Sequence, residues 1–279
     1  MLELCGGKGG ITKVACKRGL SSGGNLDKTC HVDLGNREVQ RVVIHYLNTC
    51  TVTTVVLQPN CRTTRLPSYF NAQVNYETWL EHHKEDLPHI TFCGVVATLQ
   101  YDKDRYFLRE QPTGTWVDEI EPWKILSCRD NLLKINIDQC MTGLKDSYGI
   151  PIKKPTEMYA NHPALLDPFN KYKCDGSHYH SQVCNKELAA AAQYTHNMQN
   201  AIVSAVAAAS KLHRSGNRPR GEPIYVINCK GFDLDDPTIP RHSSGVLKNK
   251  IIRQPERGFG CSACADKKDK YHPSHDRNP

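Results

Sequence analysis

Residues 53–61, Thr-Thr-Val-Val-Leu-Gln-Pro-Asn-Cys, decide the fold class. A β-branched run without polar alternation, here Thr53–Leu57, is typical of a parallel strand that is buried on both faces. Pro59 stiffens the exit from this strand because its ring fixes φ. Sheets of this kind bind ligands at the carboxyl ends of their strands, so Cys61 stands where a functional side chain is expected.

Further apolar runs alternate with helical patterns on both sides of this segment. We predict strands at Leu2–Cys5, Thr29–Leu34 and Arg105–Glu110, two later strands within 132–141 and 153–161, and helices over 11–20, 37–47, 76–99 and Lys186–Leu212. Pro88 is expected to kink or split the helix that contains it. The alternation predicts an α/β fold with a mostly parallel sheet.

The length, net charge and cysteine count of the chain narrow the functional classes to which it can belong. The chain has 279 residues and a formal net charge of +7, which permits a nucleic-acid partner without requiring one. Its 13 cysteines are odd in number, and no charged-then-apolar leader precedes Leu2. We therefore expect reduced thiols and a nuclear or cytoplasmic location. Polar residues interrupt Ala189–Leu212, so no membrane span is predicted.

The composition divides the chain into three parts. Residues 1–212 carry the α/β pattern, and the stretch "HRSGNRPRGEP" around Arg214 has the composition of a linker. We predict an α/β domain at 1–212, a linker and irregular region at 213–258, and a cysteine- and histidine-rich zinc-knuckle fragment at 259–279.

The end of the first predicted strand is rich in glycine. Gly6, Gly7, Gly9 and Gly10 allow a sharp turn and the close approach of a ligand to the backbone. Their spacing is not that of a dinucleotide-binding fingerprint. Asp33 ends the second predicted strand, where it is a candidate partner for a ribose diol. The alternative for Asp33 is an ordinary helix N-cap.

Two more chemically capable side chains end predicted strands. Cys61 is a candidate nucleophile if it is exposed and activated, and otherwise an inert buried thiol. Glu110 closes the strand "RYFLRE", and a carboxylate in such a place must be paired or bind something. The alternative for Glu110 is a salt bridge with Arg105 or Arg109.

This chain resembles the cytosine-C5 DNA methyltransferases. The resemblance rests on four features that occur in the same order in that family: a glycine turn, an acid, a Pro-x-Cys motif and a strand-end glutamate. The resemblance implies that Cys61 attacks C6 of a flipped-out cytosine and that Glu110 contacts N3. It also implies an S-adenosylmethionine site formed by Cys5, Gly6, Gly7, Gly9, Gly10, Asp33, Leu34 and Pro59. In the same alignment Lys153 and Lys154 replace the basic residues of a supporting strand.

The chain departs from the methyltransferase pattern at two of these places. Asn60 stands where that family has a second proline, and Gln111 stands where it has asparagine. The family's arginine-rich motif and an evident target-recognition domain are also missing. A catalytically inactive nucleic-acid-binding module is therefore the alternative function.

A second resemblance covers more of the chain. The segments "DQCMTGL", "GIPIKKPTEMYAN" and "DPFNKYKCDGSHYH" are similar to a methyltransferase-like segment of Copia-type retrotransposon polyproteins from protists. This resemblance implies a Rossmann-like methyltransferase fold and a place within a larger polyprotein. It also implies a nucleic-acid partner, for which DNA is favoured over RNA.

Two cysteine–histidine clusters have the composition of zinc sites. The first is C-x3-H-x-H-x3-C, and the second begins with a C-x2-C knuckle in the tail. The predicted ligands are Cys174, His178, His180 and Cys184 in the first cluster and Cys261, Cys264, His272 and His275 in the second. The alternative for the first cluster is a loop near the active site, with His178 or His180 touching substrate.

Overall fold

A six-stranded sheet forms the centre of the molecule. The computed structural model describes residues 1–181 and 191–216. The sheet has the order β2-β1-β3-β4-β6-β5. Its strands are β1 (Leu2–Leu4), β2 (Asn25–Leu26), β3 (Thr54–Leu57), β4 (Tyr106–Pro112), β5 (Leu133–Asp138) and β6 (Pro155–Ala160).

Six α-helices and several short 3-10 turns lie within the described residues. The helices are α1 (Gly10–Lys17), α2 (Arg37–Thr49), α3 (Leu66–Val74), α4 (Tyr76–Asp102), α5 (Trp123–Leu126) and α6 (His196–Arg214). None of these helices is long and apolar enough to cross a membrane.

The sheet is parallel over four strands and mixed at its far edge. Strands β2, β1, β3 and β4 pair in parallel, with Val55 of β3 opposite both Leu2 and Phe107. Strand β6 runs antiparallel to both of its neighbours, β4 and β5. The prediction of an α/β fold with a mostly parallel sheet is confirmed at this level.

Two apolar layers cover the two faces of the sheet. Helices α2, α4 and α5 bury their apolar side chains with Val55 and Phe107 on one face. Helices α1 and α6 do so with Val56 and Leu108 on the other face. Successive residues of a strand alternate between faces, so the continuous apolar run in β3 supplies both layers.

The second strand was placed wrongly from the sequence. The segment Thr29–Leu34 begins within a 3-10 turn, Lys28–Cys30, and forms no strand. The true strand is the two-residue β2, which pairs with β1 through Glu3 and Leu4. It lies next to Gly24, whose φ is +99°, and a strand this short shows no alternating pattern in the sequence. The acid that follows the second strand is therefore Asp27 rather than Asp33.

The helix predictions needed smaller corrections. Helix α4 contains Pro88 and is not divided there, although a separate helix, α3, precedes it. The predicted helix Lys186–Leu212 is not continuous, because Thr195 caps the N-terminus of α6 with its side chain. Residues 182–190 and 217–279, and with them the predicted tail cluster, lie outside the described residues.

Candidate active site and metal cluster

The glycine turn after β1 is held by the residues of β2. Gly7 and Gly9 have φ values of +55° and +66°, a region that disfavours other residues. The Asn25 side chain accepts a hydrogen bond from the Gly6 amide at 3.2 Å, and Asp27 accepts one from the Gly7 amide at 2.9 Å. The short second strand thus serves to fix the turn.

The buried carboxylate of Glu3 packs against this glycine turn. Glu3 is 1% exposed, and Thr12 donates to it from both its amide, at 2.8 Å, and its hydroxyl, at 2.6 Å. A Cβ at Gly6 would lie 2.2 Å from the Glu3 carboxylate, so the turn requires glycine there. Burial raises the pKa of Glu3, and the hydrogen bonds from Thr12 only partly offset this effect.

A cavity of about 90 Å³ opens at the carboxyl ends of β1, β2 and β3. Its lining residues are Cys5, Asp27, Lys28, Val32, Leu34, Asn60 and His89. Asp33 lies beside it, with one carboxylate oxygen 2.7 Å from Nε2 of His89. Burial lowers the pKa of His89, so this imidazole is neutral at physiological pH. Among the predicted cofactor residues, Cys5 and Leu34 thus line one cavity.

The loop that carries Cys61 is fixed on both sides. Asp86 of α4, 1% exposed, accepts hydrogen bonds from the Asn60 side chain at 2.9 Å and from Nε of Arg62 at 2.8 Å. On β4, Gln111 donates to the Pro59 carbonyl oxygen at 2.6 Å. Asn60 and Gln111, the two departures from the methyltransferase pattern, therefore anchor the loop.

Cys61 follows β3, and Glu110 lies within the neighbouring parallel strand β4, near enough for its charge to act on the Cys61 thiol. Burial and then the charge of Glu110 raise the pKa of the Cys61 thiol, while Arg65 and Lys154 oppose the shift. The free thiol is therefore protonated at neutral pH and is not an activated nucleophile. The predicted salt bridge of Glu110 with Arg105 or Arg109 is not found among the described residues.

Glu110 is itself 7% exposed, and its Oε1 has no hydrogen-bond partner among the residues that the structure describes. Tyr194 lies near the same carboxylate, whose charge acts on its phenol. Burial and the Glu110 charge hold the pKa of Tyr194 well above its ordinary value, so the phenol stays neutral. A buried carboxylate oxygen without a donor is costly, and such a group is typical of a binding site.

Tyr194 belongs to this site although the sequence did not single it out. It lies just before Thr195, the residue that caps α6. Lys154 lies over its ring, 5.9 Å from the centroid, and donates to the Ala191 carbonyl oxygen at 3.2 Å. The available signal was the polar stretch "QYTHN", which interrupts an alanine-rich pattern.

A cysteine–histidine cluster lies at the far side of the sheet and could hold a metal ion. The ligand atoms of Cys140, Cys174, His178 and His180 all lie within 4.8 Å of one another. Cys184, predicted as the fourth ligand, lies outside the described residues. Burial and a hydrogen bond with Cys174 raise the pKa of the free Cys140 thiol to about 11. Cys140 was missed because nothing in the local spacing connects it with the other three.

No protein-family model matches the chain, and no curated protein sequence matches it significantly.

Proposed function

We propose that this protein is an S-adenosylmethionine-dependent methyltransferase, or a relative of one, that acts on cytosine C5 in nucleic acid through Cys61. The observation that carries the proposal is the buried Oε1 of Glu110, which has no donor among the described residues and whose carboxylate lies near enough to Cys61 for its charge to act on the thiol. The strand order, with one reversed strand next to the far edge, is compatible with the methyltransferase fold that the resemblance implies.

The two side chains have complementary roles in such a reaction. The thiolate of Cys61 adds to C6 of the cytosine, which makes C5 nucleophilic toward a methyl group. The free thiol holds its proton because it is buried and faces the Glu110 carboxylate. When the substrate is in place, the thiol proton can pass through Glu110 to N3 of the cytosine, which balances the addition of the sulfur to C6.

The residues around the cavity fit part of the cofactor, which supplies the activated methyl group when bound. Val32 and Leu34 offer apolar contact for a purine, and Asp27 and Asp33 offer carboxylate acceptors for ribose hydroxyls. The cavity, at about 90 Å³, is smaller than the roughly 300 Å³ at the low end of ligand pockets. It would therefore enclose only a fragment of the cofactor.

The cavity and the Cys61 loop share a wall, because Asn60 lines the one and precedes the nucleophile in the other. Arg65 and Lys154 place positive charge near Cys61. Cations of this kind suit the phosphates of a nucleic acid, for which we propose DNA in preference to RNA.

The second candidate is a nucleic-acid-binding module without turnover. The observation that favours it is the thiol itself, because its pKa is raised rather than lowered. Both candidates predict binding of nucleic acid, and only the first predicts a covalent bond to the base.

Calorimetry with S-adenosylmethionine is the first test. We expect saturable binding to the intact chain, weakened in Val32→Trp, which fills the cavity, and unchanged in Cys61→Ser. A comparison of Asp27→Asn with Asp33→Asn assigns the ribose contact to one acid. Absence of binding by folded protein would exclude the enzymatic proposal.

Covalent trapping on an oligonucleotide containing 5-fluorocytosine separates the two candidates. The enzyme forms an adduct that survives denaturation, and Cys61→Ser abolishes it. Cys128→Ser, which removes an exposed thiol, is the matched control and retains the adduct. Cofactor binding without any adduct would support the inactive module.

A further inference from the structure

Two stretches of backbone meet at the cysteine–histidine cluster. Cys140 comes from the 3-10 turn Gln139–Thr142, which directly follows β5. Cys174, His178 and His180 come from a segment without helix or strand that crosses the end of the same strand. The tertiary structure thus brings Cys140 to three ligands that lie close together in the sequence, while Cys184 lies outside the described residues.

The two distances from the Cys174 sulfur to the histidine nitrogens are those of a tetrahedral metal site, and all four ligand atoms lie within 4.8 Å of one another. Sγ of Cys174 lies 3.8 Å from Nε2 of His178 and 3.4 Å from Nε2 of His180. Ligands at about 2.0–2.3 Å from a tetrahedral ion are separated from one another by roughly 3.3–3.8 Å. The side chains therefore need little movement to bind an ion.

Hydrogen bonds around the cluster hold its ligand residues in position. The Asp138 amide donates to the Tyr172 carbonyl oxygen at 2.8 Å, and the Asp138 carboxylate accepts from the Cys174 amide at 3.1 Å. The Gly176 amide donates to the Cys174 sulfur at 3.4 Å. Such support by neighbouring groups orients metal ligands.

We propose that Cys140, Cys174, His178 and His180 bind one Zn²⁺ ion in a closed, structural site. Two thiolates and two imidazoles suit zinc, whereas magnesium and calcium prefer oxygen ligands. Four protein ligands leave no open position for a substrate, so the ion stabilises the fold and performs no chemistry. The proposal does not depend on the methyltransferase function.

The site ties the far edge of the sheet to one wall of the candidate active site. The Ser181 amide, next to the ligand His180, donates to the Pro151 carbonyl oxygen at 2.8 Å. The Lys154 carbonyl oxygen accepts from the Gln139 amide at 3.1 Å, next to the ligand Cys140. Lys154 is the cation that lies over Tyr194. Zinc thereby fixes the backbone from which Lys154 projects.

Zinc content measured by mass spectrometry tests the ligand set. The tail has its own cysteine pattern, so the full-length Cys261→Ser/Cys264→Ser protein serves as the background. We expect one zinc per chain in this background. We expect the same content after the added substitution Cys184→Ser and almost complete loss after Cys140→Ser.

Either of two results would overturn the proposal. One is a folded background protein without zinc, and the other is loss of zinc from Cys184→Ser with retention in Cys140→Ser. Because Cys140→Ser can also unfold the chain, Cys140→His is the second variant. It keeps four ligands, so it must retain zinc, and the cobalt-substituted protein must show a weaker thiolate-to-metal absorption band than the background.

Discussion

Strand β4 carries two neighbouring buried charges, one on each face, and their surroundings differ. Arg109 is 0% exposed, and its two terminal nitrogens pair with Asp118 and, at 2.8 Å, with Glu157. Glu110, the next residue, points to the other face and keeps one oxygen without a donor among the described residues. One face pairs its charge with two carboxylates, although Nε of Arg109 has no hydrogen-bond partner among the described residues, and the other face leaves a carboxylate oxygen available.

The Arg109 face has the features of a structural ion-pair network. The guanidinium group lies between the rings of Trp123 and Tyr159, at 4.7 Å and 4.6 Å from their centroids. Burial alone would raise the pKa of Asp118, but Arg109 and Lys134 outweigh it and hold this pKa below the ordinary value. Such networks hold elements together, whereas an unpaired charge such as that of Glu110 is typical of a site that binds something.

The largest expected effect is a difference in folding stability between variants on the two faces of β4. Arg109→Met keeps most of the side-chain volume but leaves two buried carboxylates without their main partner. We expect a loss of about 3–5 kcal/mol in the free energy of unfolding. Glu110→Gln keeps the shape of the side chain and removes the charge, so its loss should stay under about 1 kcal/mol. Urea unfolding measures both, and equal losses would refute the distinction.

The same variant has a defined pH dependence. Because the folded-state pKa of Asp118 is below its ordinary value of 3.8, the stabilisation by Arg109 is fully present above that pH. It is lost as the pH falls through the folded-state pKa. The stability difference between the wild-type protein and Arg109→Met should therefore shrink in acid, and a constant difference would exclude this linkage.

A smaller effect is expected where the Cys61 loop is anchored. Asp86→Asn weakens its buried contacts with Asn60 and Arg62, which should cost about 1–3 kcal/mol of stability. Glu85→Gln is the matched control, since Glu85 pairs with the same arginine at the surface. Its cost should be much smaller, because solvent screens an exposed ion pair. Comparable costs in thermal unfolding would show that the buried anchor adds nothing.

The smallest expected effect is a change in the reactivity of the Cys61 thiol, and the fold stays intact. Glu110→Gln removes a negative charge that raises the pKa of Cys61, so this pKa should fall. Alkylation of Cys61 by iodoacetamide at pH 8, followed by peptide mass spectrometry, should become faster. Alkylation of the exposed Cys128 is the internal control and should not change. A slower reaction at Cys61 would mean that Glu110 acts on the thiol as a base.

The enzymatic proposal requires that Glu110→Gln weakens the reaction with the base even though it makes the free thiol more reactive. If Glu110 contacts the base, Glu110→Gln combines a more reactive thiol with weaker adduct formation on 5-fluorocytosine. A variant that gains in both measurements would remove Glu110 from the proposed mechanism and leave it as a charge that merely suppresses the thiol.

The sequence by itself determined the class of fold and the strand ends at which to look. The β-branched run in β3 and the helical spacing around it depend on local periodicity, which is visible in one dimension. The same reasoning located Cys61, which follows the strongly patterned β3, and Glu110, which lies within the strongly patterned β4, two residues before its end. It failed at the two-residue β2, which has too few residues to show a period.

Only the tertiary structure decided which side chains share a site. Glu110 meets Tyr194 because α6 packs across the face of the sheet on which Glu110 lies, and Asp27 follows β2 because that strand pairs with β1. Cys140 joins Cys174, His178 and His180 because the segment after Tyr172 crosses the end of β5. These meetings depend on contacts between residues far apart in the chain, on which local spacing carries no information.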